Sequence, residues 1–241
     1  MADNCGLPKG YKQTEVGVIP EDWDVAKIGD LIDYTKSYAF QSKEYTNDGI
    51  RVIRVSDTTY DSIIDSSPIF VSSSKASQYA KWTLKENDIV VSTVGSKPPM
   101  YDSMVGKVII IKRQYDGALL NQNAVLIRDR KNRRDFQLLL LSHFRTKRYF
   151  GFIESIFRGN ANQASITLKE LFEFPIPFPQ SGIEQHAIAS ALSDVDALLA
   201  KLDQLITKKR DLKQAAMQQL LTGQIRLPGV SGEWLTVKAE R

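Results

Sequence analysis

Short apolar runs separated by polar breaks fill the first three quarters of the chain, and one long periodic stripe fills much of the rest. Residues 50–55 (IRVIRV), 89–93 (IVVST), 105–112 (VGKVIIIK) and 124–128 (AVLIR) are rich in Val and Ile. They are bounded by Asp, Gly, Asn or Ser, a pattern that predicts strands. Helical pieces are expected at 25–34, around 74–79 and at 135–150, where Asp135 can cap the first turn. Residues 167–172 read as one short helical turn. The run FPIPFP (174–179) places Pro175, Pro177 and Pro179 in alternation, which forbids both helix and central strand; it reads as a stiff strap.

Beyond the strap the texture changes. Ser181 and Glu184 fit the S-x-x-E capping box that opens a helix. Residues 184–221 contain no Pro or Gly, Gly223 supplies a stop, and Pro228 lies beyond. Such a helix is roughly 57 Å long at 1.5 Å per residue. Its apolar positions recur in three- and four-residue steps: Ile188, Leu192, Val195, Leu199, Leu202, Leu205 (or Ile206), Leu212, Ala216 and Leu220. A seam this long overshoots a domain of ~170 residues. A stripe of this kind usually pairs with another helix, and no second helix of comparable length is predicted. The expected partner is therefore another molecule, most simply an antiparallel copy, with a helix lying back on its own domain as the alternative.

Composition narrows the class. The 241 residues are 42% hydrophobic and 25% charged, as in a soluble globular protein, and no apolar run is long enough to cross a bilayer. The first ten residues lack a secretory signal, and a single cysteine, Cys5, cannot form an internal disulfide; both favour a cytoplasmic setting. The net charge of +4 is unevenly spread. Arg128, Arg130, Lys131, Arg133, Arg134, Arg145, Lys147 and Arg148 stand against only Asp129 and Asp135 within residues 128–150. Clustered Arg and Lys suit a polyanion, although a solvated helix face has the same composition.

Signatures of catalysis fail on inspection. Gly106 and Lys107 are followed by Val108, and Tyr101 stands where a phosphate-binding loop needs its first Gly. No G-x-G-x-x-G follows a strand, so no dinucleotide site is expected. Residues 97–100 depart from the Asn-Pro-Pro-aromatic loop of DNA amino-methyltransferases: Lys97 replaces the Asn and Met100 the aromatic ring. His143, His186 and Cys5 fall short of a metal cluster, and no cofactor is implied. The chain reads as non-catalytic.

Three stretches carry a resemblance: GYKQTEVGVIPEDWDVAKIGDL (10–31), RGNANQASITLKELFEFPIPFPQSGIEQHAIASAL (158–192) and KKRDLKQAAMQQLLTGQIRL (208–227). Together they resemble the specificity subunit of type I restriction–modification enzymes. The proline strap, Glu184-Gln185 and Leu221-Thr222-Gly223 are its most specific parts. The resemblance implies an α+β fold: a mixed, strand-rich target-recognition domain (11–180), then one long helix (181–223) that pairs as an antiparallel coiled coil with a second copy. Residues 224–241 resemble the start of a second repeat: GVSGEWLTVKAER echoes GVIPEDWDVAKIGD of residues 17–30. Typical family members hold two recognition domains and two helices, so a half-length subunit is expected, one that dimerises to read a bipartite, palindromic site in double-stranded DNA. Modification subunits, and through them a restriction subunit, would supply methyl transfer and cleavage. A non-DNA helical adaptor, or one half of a heterodimeric specificity subunit, are the alternatives.

For phosphate contact the eight basic residues above are the candidates. For base readout the candidates are polar loops: Lys36, Ser37 and Tyr38; Thr93, Ser96, Lys97 and Tyr101; Asn121, Gln122 and Asn123; and Arg158, Asn160, Asn162 and Gln163. Gly95 and Gly159 are expected to allow close backbone approach.

Overall fold

The computed structural model describes residues 7–60, 62–160 and 163–232. A hairpin of β1 (Tyr11–Thr14) and β2 (Gly17–Pro20) leads into β3 (Trp23–Lys27), the one-turn α1 (Ile28–Leu31) and β4 (Ile32–Lys36). Next come β5 (Tyr45–Thr46), β6 (Ile50–Ile53), β7 (Ile69–Val71), α2 (Ala76–Tyr79), β8 (Ile89–Ser92), β9 (Val94–Gly95) and β10 (Val108–Ile110). After β11 (Leu119–Leu120) and β12 (Ala124–Asp129), helices α3 (Arg134–Phe144) and α4 (Lys147–Ile156) precede the hairpin β13 (Arg158–Asn160) and β14 (Gln163–Ser165). The single turn α5 (Leu168–Leu171), β15 (Pro175–Pro179) and the long α6 (Gly182–Leu221) complete the order.

A central antiparallel sheet runs β10-β8-β12-β4. Its inner strands are apolar throughout Ile89–Val91 and Ala124–Ile127 because both faces are covered there. Ile89, Val91, Val125 and Ile127 face a core built with Phe136, Leu140, Phe144, Tyr149 and Phe174. Val90, Ala124 and Leu126 face a second core with Ile53, Leu84 and Ile111. The period-two alternation thus vanishes from the sequence while persisting in space. A second sheet, β11-β6-β7-β5, carries a smaller cluster around Phe40, Val52, Val71 and Tyr79.

Several expectations need correction. Residues 25–34 are not a helix: β3 pairs with β15 and β4 with β12, so long-range partners override local propensity, leaving only α1 between them. The helix expected at 135–150 breaks at Arg145 and Thr146, where Thr146 Oγ1 caps α4 by accepting from Tyr149 N at 3.2 Å. Asp135 does not cap α3; its carboxylate meets His186 Nδ1 at 3.1 Å. The strap is a strand, but in a two-stranded ribbon: its prolines sit in alternation, and Ile176 and Phe178 keep the N–H groups that pairing requires. The 105–112 strand shortens to β10 because Gly106 adopts φ +76°.

The helix is 40 residues long and starts at Gly182. The first compact unit runs through Ala189. Gln185 and Ala189 are buried, Gln185 Nε2 donates to Pro179 O at 2.7 Å, and Trp23 Nε1 donates to Glu184 Oε1 at 3.1 Å. The second unit begins at Ser190, and every residue from Ser190 to Gln219 is exposed. Gly223, at φ +70°, ends the helix, its N–H reaching Leu220 O at 3.3 Å. The final nine residues, which carry most of the echo of the N-terminal stretch, lie outside the described residues. No described helix is long and apolar enough to cross a membrane.

Candidate nucleic-acid interface

The strand registers sort the candidate residues into two groups. Ala124 faces Ser92, Val125 faces Lys36 and Val91 faces Val108, so the start of β12 lies beside the ends of β4 and β8 and the start of β10. Lys36, Ser37, Tyr38, Thr93, Lys107, Asn121, Gln122 and Asn123 therefore gather at one end of the central sheet. Asp129 faces Ile32 and Ile127 faces Ile89 at the other end, which carries residues 128–134. About 17 Å of strand separates the two ends at ~3.4 Å per residue.

At the first end, β14 pairs with β9, Ala164 facing Gly95, and this brings the 158–165 hairpin beside the 96–104 loop. The close approach at Gly95 is to the chain itself: a Cβ there would collide with Ser103 O, Met104 C and Val105 N. The loop folds back through Ser96 N donating to Ser103 O (2.8 Å) and Val105 N to Ser96 O (2.9 Å). Its tip leaves Met100 58% and Tyr101 48% exposed. Tyr101 packs on Phe150 (5.3 Å between centroids) and Tyr60 (6.0 Å), and Lys97 Nζ lies 5.6 Å over the Phe157 ring. One turn before Phe150, Lys147 is exposed.

The loop rests on a residue that sequence reasoning missed. Lys107 is 2% exposed, and its Nζ donates to Thr58 O and Asp102 O, each at 2.6 Å. Asp102 Oδ1 in turn accepts from Tyr60 N at 3.0 Å. Burial pulls the Lys107 pKa down to about 8, against a smaller opposing pull from Asp102. The only sequence signal was a lone Lys inside an apolar run. Ser56, Thr58, Ser96, Ser103, Lys107 and Asn123 line a recess of about 340 Å³ here. Asn123 and Gln122 are exposed, and Asn123 sits at φ +68°. Of the hairpin residues, Arg158, Asn160 and Gln163 are exposed, Arg158 pairing with Glu170 at 2.5 Å; Asn162 lies outside the described residues.

Other candidates at this end have internal work. Asn121 is buried, its Oδ1 accepting from Gln122 N (2.8 Å) and its Nδ2 donating to Tyr45 OH (3.4 Å). Tyr38 is half-buried among Phe40, Tyr79 and Trp82. Ser37 Oγ accepts from Ala124 N at 3.3 Å, while Lys36 is exposed.

The basic cluster at the far end is largely spent within the fold. Arg128 grips Asp88 through Nε (2.7 Å) and Nη2 (2.6 Å), bonds that raise the arginine's pKa. Arg133 grips Asp129 in the same bidentate way and lies 4.0 Å over the Phe136 ring. Arg130 donates to Gly29 O, Asp30 O and Ile32 O. Farther along, Arg148 binds Pro175 O at 2.5 Å, stacks 4.5 Å over Phe174, and is lowered in pKa chiefly by burial. Arg145 is half-buried, whereas Lys131 and Arg134 are exposed. His143 is pushed down to about 4, by burial first and Arg148 second, and so is neutral. No group of His, Cys, Asp and Glu suited to a metal ion occurs among the described residues.

Along α6 the exposed apolar side chains include Leu192, Val195, Leu199, Leu202, Leu205 and Leu212; Ile188 and Leu220, at the two ends of the stripe, are partly buried.

The pattern described as "Type I restriction modification DNA specificity domain" matches residues 20–209. The putative type I restriction enzyme MjaX specificity subunit of Methanocaldococcus jannaschii is 31% identical over 217 residues, 89% of this chain and 49% of that protein. The MjaVIII specificity subunit from the same organism is 26% identical, covering 92% of this chain and 51% of its own length. The chain thus spans about half the length of these curated relatives. The crystal structure of the M. genitalium type I restriction–modification S subunit shares the fold, with a TM-score of 0.52 at 20% identity over 82% of this chain and 45% of that one. With a match over most of its length, this chain belongs to the type I restriction–modification DNA specificity family.

Proposed function

We propose that this chain reads a DNA sequence for a type I restriction–modification enzyme, through the loops at the start of β12. One observation carries the reading: five segments far apart in sequence deliver exposed polar, cationic and aromatic side chains to the same end of the central sheet. Lys36, Lys97, Lys147 and Arg158 are suited to phosphates, and Ser96, Gln122, Asn123, Asn160 and Gln163 to base edges. Met100 and Tyr101 offer apolar contact, for example to thymine methyl groups. Lys131 and Arg134 form a separate, smaller cationic patch.

The exposed stripe on α6 takes a second copy of the chain in antiparallel pairing. Two identical domains then read the two halves of an interrupted, palindromic site. The dimer docks modification subunits, which transfer the methyl group, and through them a restriction subunit that cleaves. The test is a genome-wide adenine-methylation map of cells expressing this chain with its modification subunit. A palindromic bipartite motif is expected. An asymmetric bipartite motif would keep the DNA reading and sink the homodimer; a confirmed complex with no motif would sink both.

A further inference from the structure

Lys107 is a charge in a place suited to an apolar side chain. It interrupts the run of residues 105–112, and at 2% exposed it carries its ammonium group out of water. Withdrawing an ion from water is costly, and well-packed apolar residues usually serve stability as well as a buried charge or better. Here two backbone carbonyls, Thr58 O and Asp102 O, replace the lost hydration, each 2.6 Å from Nζ. The backbone beneath is anchored: Ser92 N donates to Lys107 O at 2.9 Å, Gly106 N to Ser92 O at 2.9 Å, and Tyr149 OH to Gly106 O at 2.8 Å.

From this footing on β8 and α4 the side chain joins two loops far apart in sequence. Bonds within the 96–104 loop, such as Tyr101 N to Pro99 O (2.7 Å) and Ser103 Oγ to Ser96 Oγ (3.0 Å), set its shape. The grip on Asp102 O sets where its tip stands. Asp102 is held a second time, its Oδ1 accepting from Tyr60 N at 3.0 Å, and the neighbouring Tyr101 meets the Tyr60 ring at 6.0 Å. Met100 and Tyr101 are thus presented to solvent on a tip that one ammonium group ties to the sheet. We propose that Lys107 is a positioning residue for sequence discrimination: it touches no base, but it sets the place of Met100 and Tyr101 against the polar residues of the other loops. This role rests on the proposed DNA reading and deepens it, by separating the contacts that distinguish sequences from those that hold phosphates.

The same grip titrates. Burial holds Lys107 at about 8, far below the ordinary 10.5 of a lysine, and Asp102 on the gripped loop supplies the opposing pull. From the other segments packed nearby come Asp57, taken up by Arg51 and Arg54, and Tyr149, whose hydroxyl burial keeps protonated. Loss of the lysine's extra proton leaves an amine that still donates, but its hydrogen bonds lose their charge assistance and become about half as strong. The tip is therefore held firmly below a pH of about 8 and more loosely above it.

The test measures binding of the full chain, in complex with its modification subunit, to two duplexes at fixed salt, from about pH 6.5 to about pH 9. One duplex carries the motif found by methylation mapping, and the other carries it scrambled. The ratio of the two affinities is expected to hold steady below the Lys107 pKa of about 8 and to fall above it, while binding to the scrambled duplex stays level. Lys107→Met is expected to lower the ratio about tenfold, the order of one lost base contact, and to make it independent of pH. Its affinity for the scrambled duplex and its salt slope should match the parent. Asp102→Asn keeps an acceptor for Tyr60 N but removes the charge that supports the ammonium group, so the midpoint should move to lower pH. Asp102 is exposed, so this variant serves even where Lys107→Met does not fold. A parent ratio level across the range, or an Asp102→Asn midpoint that stays in place, would overturn the role of Lys107. So would a folded Lys107→Met chain that keeps the parent ratio or weakens on both duplexes alike. A parent that does not distinguish the duplexes at any pH would overturn the DNA reading itself, and the role of Lys107 with it.

Discussion

Placing Asp at both Leu199 and Leu202 is the sharpest perturbation of the proposed assembly. In the single chain these side chains are 54% and 45% exposed, so about half of each remains to be covered by a partner. Full burial of a leucine contributes ~1.5–3 kcal/mol, and covering the remaining half therefore contributes about 1 kcal/mol. Twofold symmetry doubles each position, so four leucines together contribute about 4 kcal/mol, or about a thousandfold in dissociation constant. The carboxylates add a further cost wherever the seam excludes water, which makes this figure a floor. Both positions fall in the exposed 190–219 stretch, so the first compact unit should unfold at an unchanged temperature. Sedimentation over a dilution series reads the association, and binding to a duplex carrying the bipartite motif reads its consequence. A double variant whose dissociation constant stays within about threefold of the parent would refute the seam.

The two cationic groups should separate by assay. Arg128→Ala strands the buried Asp88 carboxylate and should cost about 3 kcal/mol in urea unfolding, while leaving the salt slope of DNA binding intact. Lys97→Ala should leave stability within about 0.5 kcal/mol and lower the slope of log K against log salt by about one; the reverse pattern would relocate the interface. His143 supplies a pH signature. Its folded pKa of about 4 lies below the 6.5 of the unfolded chain, so its contribution is complete above 6.5 and is lost as the pH falls toward 4, about 3 kcal/mol at most. Comparing urea unfolding at pH 7 and 4.5, His143→Gln should lose less stability than the parent on acidification, and equal losses would refute the assignment.

Features set by local composition were legible in the sequence. The Val/Ile runs of β8 and β12 survive as strands because covering both sheet faces requires apolar side chains at every position. Freedom from Pro and Gly exposed α6. What escaped depends on partners distant in the chain. Trp23–Lys27 becomes a strand only because Pro175–Pro179 lies beside it, about 150 residues later. Counting arginines at 128–134 could not reveal that Asp88 neutralises one of them from 40 residues away. Likewise Lys107 is hidden, since nothing nearby announces that Thr58 O and Asp102 O await its ammonium. The loops expected to read DNA stand out in the sequence as polar and Gly-punctuated, but only the β9–β14 pairing gathers two of them into one surface.

The pairing of β3 with β15 makes the segment between them a cassette. Lys27 faces Pro175, and just beyond them Ile28 N donates to Phe174 O (3.0 Å) and Gly29 N to Phe172 O (3.1 Å). Residues 28 to 174 thus leave and rejoin the same narrow stem, and α6 begins within a few residues of its return strand. An exchange of genetic material that preserves the stem can replace nearly every loop proposed to read bases in one step. The helix, and whatever assembly it directs, is then inherited unchanged, so new specificity can arise by recombination without gradual redesign of the interface.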